Sequence, residues 1–365
     1  MSRPSTATID IQALRDNFLL AQSLAPDSKT MPMVKANAYG HGALAVAKAL
    51  EDLAHAFGVA CIEEALALRE AGIKQPILLL EGTYSADEVP VAEQENLWLM
   101  VENKPQIEAI LNAQLKKPVN VWIKLDTGMH RLGFPTHEAQ SIFEQLSASQ
   151  NVGEQIVLAT HFAWADSLTE PMTQQQLASF ESSVETFNQQ NTLQSLANSA
   201  SILGWPQTQR DWQRPGYMLY GNSPFSEPQA NADKLKPVMT FSSAIISIRT
   251  VQVGESVGYT ANWVAERTSQ IATIAVGYGD GYPRQAPNGT PVLIQGEECP
   301  IVGRVSMDMI TVDITDLPQT PAIGEPVILW GPQLPVNKVA ACCDTIGYEL
   351  LTRMPSRVPR VYINQ

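Results

Sequence analysis

Cysteine is scarce in this chain: four in 365 residues, namely Cys61, Cys299 and the adjacent Cys342 and Cys343. Their spacing offers neither a disulfide framework nor a CxxC metal pair, so they read as reduced thiols of a cytoplasmic protein. Positive charge is also thin. Lys and Arg number 24 against 37 Asp and Glu, a formal net charge of -13, and no basic run breaks that balance. Nucleic acid and anionic membrane are therefore not expected as partners. No stretch is apolar for long enough to span a bilayer, and the first residues, MSRPSTATID, lack the apolar core of a signal peptide. The common catalytic signatures are missing too. Without HExxH, CxxC or a cluster of His and carboxylates at ligand spacing, no metal is expected. The lack of a GxSxG elbow argues against a Ser-His-Asp hydrolase. The lack of GxGxxG argues against a dinucleotide site.

What is present is an ordinary globular composition, 44% hydrophobic and 17% charged, in a chain long enough for two domains. In the first two-thirds, short apolar runs alternate with amphipathic segments. Asp10 suits the cap of a helix whose apolar face is Ile11, Leu14, Phe18 and Ala21. TMPMV, FGVACI, PILLLEG, LWLMV, VNVWIKLDTG, QIVLATHFA, LQSLANSA and the stretch around WQRPGYMLYG supply eight strands. Segments such as ALAVAKALEDL, EEALALREAG and TQQQLASFESSVETFNQQ supply helices between them. This order predicts an α/β fold, a parallel (β/α)8 TIM-like barrel over 1–234. Beyond it, FSSAIISIRTVQV, SQIATIAVGYG, TPVLIQG, CPIVGRV, MITVDIT and EPVILWG are separated by turn residues. Almost nothing between them reads as a long helix, which predicts an all-β C-terminal domain over 235–365.

In such a barrel the chemistry gathers where strands end and loops begin. The stretch MPMVKANAYGHG closes an apolar run on Lys35. Lys124 and Asp126 end VNVWIKLD, with Arg131 in the loop that follows. His161 ends QIVLATH, Asn198 and Ser199 end LQSLANS, and Arg214 with Gly216 holds the eighth position. Each alone reads as a solvated cap or a hydrogen-bonded structural residue. Together, two lysines, two arginines and a histidine on one face suit an anionic ligand carrying phosphate or carboxylate. With the other chemistries unsupported, what remains is a lysine that forms a Schiff base, activated by burial and nearby cations. The cofactor that joins a phosphate to lysine chemistry is pyridoxal 5′-phosphate.

VKANAYGHG closely resembles the cofactor-lysine motif of the alanine racemases. The resemblance continues through KLDTGMHRLG, THFAWAD, ANSA, RPGYMLYG, VGYTANW, GYGDGYPR and GRVSMDM, in the family's order over essentially the whole chain. It implies a barrel plus a β domain, and an isomerase that interconverts L-alanine and D-alanine and supplies D-alanine for peptidoglycan. By this resemblance Lys35 holds the cofactor, and Tyr39, Ser199, Gly216 and Tyr217 bind its phosphate. Arg214 would face the pyridine nitrogen, backed by His161. Arg131 and the Met307 backbone would hold the substrate carboxylate. Tyr259 would be the second catalytic base, and Tyr278 and Asp308 would line the way in. Lys124 matches a position often carbamylated in the family. The resemblance also implies a head-to-tail homodimer with shared sites. Ser356 in RMPSRVPR departs from the pattern, since some members place a tyrosine there near the phosphate.

Racemisation needs a proton removed from one face of Cα and returned to the other, hence two bases. Free phenols and lysine amines titrate near ~10 and ~10.4, so each needs its pKa lowered, a lysine by burial and a phenol by a nearby cation. Arg131 is the natural cation for that phenol. Two other kinds of protein on this cofactor remain open. A barrel decarboxylase would carry a glycine-rich phosphate loop late in the barrel and a cysteine donated across the dimer; no such run appears, and Cys299 lies in ECPIVG. A cofactor-carrier protein would be a single barrel without the β-rich tail. A racemase of broader specificity also stays open.

Overall fold

The structure is a computed structural model that describes residues 3–185 and 192–365. The end of the predicted helix TQQQLASFESSVETFNQQ lies outside the described residues. The first strand, β1 (Thr6–Asp10), leads into the helix Ile11–Leu24. Asp10 caps that helix, its side chain accepting from the Ala13 N–H at 3.0 Å. Then follow β2 (Lys29–Thr30), β3 (Phe57–Val59), β4 (Ile77–Leu79), β5 (Leu97–Val101), β6 (Val121–Asp126), β7 (Phe134–Pro135), β8 (Ile156–Ala159), β9 (Thr192–Ser195) and β10 (Trp212–Gln213).

Eight of these form one parallel row in the order β2-β10-β9-β8-β6-β5-β4-β3, with β7 added to β6. A bridge from Met33 to Gly58, continuing β2, joins the two ends of the row. The Val34 N–H donates to the Gly58 carbonyl at 2.8 Å, and the Gly58 N–H donates to Pro32 at 3.0 Å. The strands therefore close into the barrel that the alternating pattern predicts. Its interior holds Met31, Met33, Leu78, Met100, Trp122 and Trp212, all buried. Trp98 meets Trp212 edge-on at 5.4 Å between centroids. The interior is thus packed with side chains and is not a pore, which leaves the strand ends as the place for a site.

The second unit is built on the long β11 (Met239–Val251), which bends at a register shift between Ile245 and Ser247. It is mostly β, but it also contains two short helices, Val336–Cys342 and Gly347–Thr352, that the sequence pattern did not reveal. β1 does not belong to the barrel sheet. It pairs antiparallel with β11 through Thr6↔Ser242 to Ile9↔Met239, and parallel with residues 360–363 through Ala7↔Arg360 to Asp10↔Ile363. The expected barrel range began at residue 1 because a single strand carries no mark of a partner so far along the chain.

Candidate active site

Lys35 follows the first barrel strand, and the backbone then turns left-handed. Ala36, Asn37, Ala38 and Tyr39 have φ of 51°, 53°, 54° and 51°, and Gly40 follows at 82°. For residues with a Cβ this conformation costs about 1–2 kcal/mol each, so the surroundings must enforce it. The Ala38 N–H donates to Val34 at 2.8 Å and the Gly42 N–H to Asn37 at 2.9 Å. Asn37 Oδ1 accepts from Ala43 at 2.9 Å, and Glu64 Oε1 accepts from Ala36 at 2.6 Å. His41 Nδ1 sits 3.0 and 2.9 Å from the carbonyls of Ala38 and Tyr39, so it is the nitrogen that carries hydrogen.

The Lys35 amine is half-buried, and loss of hydration is the main reason its pKa falls below the usual lysine value. Glu81 and Glu64 oppose the shift, while Arg131 and Lys124 add to it. Across the mouth Lys124 Nζ pairs with Glu102 at 2.8 Å. Burial pushes the Glu102 carboxyl up against the pull of Lys124. Asp126 accepts from the N–H groups of Gly128 and His130, both at 3.0 Å, and so folds the loop that carries Arg131. Lys124, Arg131 and His161 line one small cleft there.

Arg214 is buried and donates to Ser195 Oγ at 2.5 Å and to the carbonyls of Thr160 and Leu196 at 2.7 and 3.2 Å. These acceptors are neutral, and no carboxylate pairs with this guanidinium among the described residues. Burial brings its pKa down to about 10, so it stays a cation at neutral pH. Burial, and then the charge of Arg214, hold His161 well below the ordinary histidine range, hence neutral. Ser199 Oγ accepts from Gly216 at 2.9 Å and Met218 at 3.3 Å. A Cβ on Gly216 would stand 2.7 Å from the Tyr39 hydroxyl, so glycine makes room for that phenol. Burial pushes Tyr39 up to about 12, which keeps it a neutral donor. Tyr217 donates to Asn337 Oδ1 at 2.5 Å, and its ring stacks on Tyr348 at 3.6 Å.

This donor set fits pyridoxal phosphate. A half-buried amine of lowered pKa suits its aldehyde, a buried unpaired guanidinium suits its ring nitrogen, and a neutral phenol beside a glycine loop suits its phosphate.

The residues expected from the second unit gather elsewhere. Tyr259 sits at the tip of the hairpin Ser256–Val257/Trp263–Val264 and is 69% exposed; Met307 is 53% and Tyr278 39% exposed. The Tyr278 N–H donates to Ser306 at 3.0 Å and the Gly279 N–H to Met307 at 2.8 Å. Arg304 Nε donates to Thr260 at 2.7 Å, which ties the hairpin to the same loop. Asp308 takes Arg357 at 2.7 Å, and the buried Asp280 takes Arg3 at 2.6 Å and Arg357 at 3.0 Å. Tyr259, Tyr278, Met307 and Asp308 thus share one exposed patch. Among the described residues no hydrogen bond, ion pair or ring contact joins that patch to Lys35, Arg131 or Arg214.

Of the acids at the mouth, sequence reasoning named only Asp126. Glu64, Glu81 and Glu102 also stand there. In EEALALREAG, LLLEG and VENK they look like helix-start or turn acids, and no local pattern sets them apart. Tyr348 was likewise missed, whereas Ser356, flagged as a departure, is exposed.

Residues 9–224 match the family model for the alanine racemase N-terminal domain, and residues 238–362 match that for the C-terminal domain. A curated relative from Pseudomonas putida, named a catabolic alanine racemase, is 49% identical over 363 residues and covers 100% of both chains. One from Pseudomonas syringae pv. syringae, named an alanine racemase, is 50% identical over 361 residues and covers 99% of each. Among solved structures, the biosynthetic alanine racemase of Pseudomonas aeruginosa superposes with a TM-score of 0.94 at 48% identity over 99% of each chain. The alanine racemase of Bartonella henselae, solved with covalently bound pyridoxal phosphate, gives 0.91 at 32% identity over 99% of each. Matched end to end in both of its units, the chain belongs to the alanine racemase family.

Proposed function

We propose that the protein interconverts L-alanine and D-alanine by two-base proton transfer at Cα, with Lys35 serving one face and Tyr259 the other. Bound pyridoxal phosphate supplies the acidity: it draws the charge left at Cα into its own ring. Lys35, with its pKa lowered by burial, is the residue to hold the cofactor and then to move a proton on its own face. Tyr39, Ser199, Gly216 and Tyr217 bind the phosphate. Arg214, which keeps its own proton, leaves the ring nitrogen unprotonated and so works against transamination. Neutral His161 packs behind it. Arg131 and the Met307 backbone take the substrate carboxylate, and Tyr278 and Asp308 flank the path by which alanine arrives.

The observation that carries this reading is that the Lys35 amine and the buried Arg214, whose acceptors are all neutral, both act on His161 at one barrel mouth. Carbamylation of Lys124 would exchange its ion pair with Glu102 for a negative charge that can hold Arg131; the mass of the Lys124 peptide reads it. We place the protein in the cytoplasm, supported by its unpaired cysteines and by the lack, among the described residues, of a helix able to cross a membrane. We also assign it D-alanine supply for peptidoglycan, tested by rescue of a D-alanine-requiring bacterium. The decisive assay incubates purified protein and cofactor with single L-amino acids and separates the enantiomers. L-alanine should yield D-alanine, and Lys35→Ala should lose nearly all of that turnover. Carbon dioxide release without racemisation would point instead to a decarboxylase.

A further inference from the structure

Glu64 has no assigned part in this chemistry, yet its carboxylate holds the backbone N–H of Ala36, the residue after Lys35, and its charge acts on the Lys35 amine. It stands in the first turn of the helix Ile62–Glu70 and is half-buried. Oε1 accepts from the Ala36 N–H at 2.6 Å, and Oε2 accepts from the Ala60 N–H at 2.8 Å. Those two donors belong to different connections, one after the first barrel strand and one after the second. The last ladder bond between these strands is Val34 to Gly58 at 2.8 Å, so Ala36 is past the point where the sheet can hold it. Ala36 also opens the left-handed turn, at φ 51°. A carboxylate offers two acceptor oxygens and no donor, which matches two converging N–H groups, and the helix N-terminus favours its charge.

We propose that Glu64 is a positioning residue for Lys35, its carboxylate clamping the first residue of the left-handed turn to the second strand end so that the amine is held toward the barrel mouth. The inference rests on the reading that Lys35 carries the cofactor. In the step it serves, the Lys35 nitrogen adds to the aldehyde carbon and the C=N bond forms. The aldehyde oxygen leaves as water with the two hydrogens lost from nitrogen, and no oxidant or reductant is needed.

The test uses full-length protein stripped of cofactor. Pyridoxal phosphate is added and the absorbance of the lysine adduct is followed, with borohydride trapping and peptide mass to locate it. Pyridoxamine phosphate, which lacks the aldehyde, separately reads the phosphate and ring contacts. Glu64→Ala is expected to slow adduct formation at Lys35 by about tenfold or more while pyridoxamine phosphate affinity stays within about twofold. Glu64→Gln keeps one acceptor and sets an amide N–H against the other donor, so it should fall between Glu64→Ala and wild type. The exposed neighbour variant Glu63→Ala should match wild type. Adduct formation at the wild-type rate in Glu64→Ala, or in Glu64→Gln where Glu64→Ala does not fold, overturns the proposal while leaving the cofactor reading intact. Equal losses of adduct rate and pyridoxamine phosphate affinity also overturn it, because they mark a general brace. Wild-type protein that forms no adduct at Lys35 overturns the cofactor reading itself, and the proposal with it.

Discussion

His41 shows how a single side chain in the stretch after Lys35 couples stability to pH. Its ring is buried and stacks on Tyr220 at 4.4 Å, and Nε2 has no partner. Burial lowers its pKa to about 4 against the opposing hydrogen bonds to Tyr39 and Ala38. Between pH ~4 and ~6.5 the unfolded chain therefore binds a proton that the folded one refuses. This contribution is complete above pH ~6.5 and is lost as the pH falls, by about 2 kcal/mol at pH 5. His161 is shifted the same way, by burial and then by the charge of Arg214, and so adds to the loss of stability toward acid. Urea unfolding at pH 5, 6 and 7 should show stability falling toward acid, and His41→Phe should flatten the slope by about one proton while lowering stability at pH 7. An unchanged slope in that variant would mean that His41 is charged in the fold. The two glycines around this histidine were visible in the sequence, but its burial was not, because burial depends on Tyr220 and Arg360 far along the chain.

At the scale of elements, most barrel strands were legible because they lie in short apolar runs bounded by turn residues. The role of β1 was not, since its partners lie more than two hundred residues away. The left-handed turn was also hidden: two of its four residues are alanines, which carry no signature of positive φ, so Asn37 and Gly40, which tolerate it, did not mark a continuous run. That glycine gives the element its sharpest test. Its φ is 82°, and a Cβ there would stand 2.0 Å from the Leu351 carbonyl of the helix Gly347–Thr352. Gly289 has a similar φ of 93° with nothing within 4 Å. Gly289→Ala should therefore cost only the backbone term, about 1 kcal/mol. Gly40→Ala should cost at least about twice that, because the helix must also move. Urea midpoints of the two variants decide the matter; equal costs would show that the second unit does not press on the left-handed turn after Lys35.

For the whole molecule, the candidate site divides into two halves that no hydrogen bond, ion pair or ring contact joins among the described residues. Lys35, Arg131 and Arg214 stand at the barrel mouth, whereas Tyr259, Tyr278, Met307 and Asp308 share an exposed patch on the other unit. The proton transfer proposed above, on both faces of one Cα, would need Lys35 and Tyr259 at the same substrate. A head-to-tail dimer, in which each patch covers the partner's mouth, meets that need with two equivalent sites. It also gives the exposed Leu132 and Trp164 near one half, and Met307 and Met309 in the other, a surface to cover. Two inactive variants, Lys35→Ala and Tyr259→Ala, test this when co-expressed or co-refolded. With shared sites, a mixed dimer has one site with both lesions and one with neither. Half of the dimers are mixed and half of their sites are intact, so activity should return to roughly a quarter of wild type after random reassortment. Mixed dimers that form, as shown by differently tagged subunits, yet stay inactive would mean that each site is completed within its own chain. The patch carrying Tyr259 would then have to reach Lys35 by moving relative to the barrel.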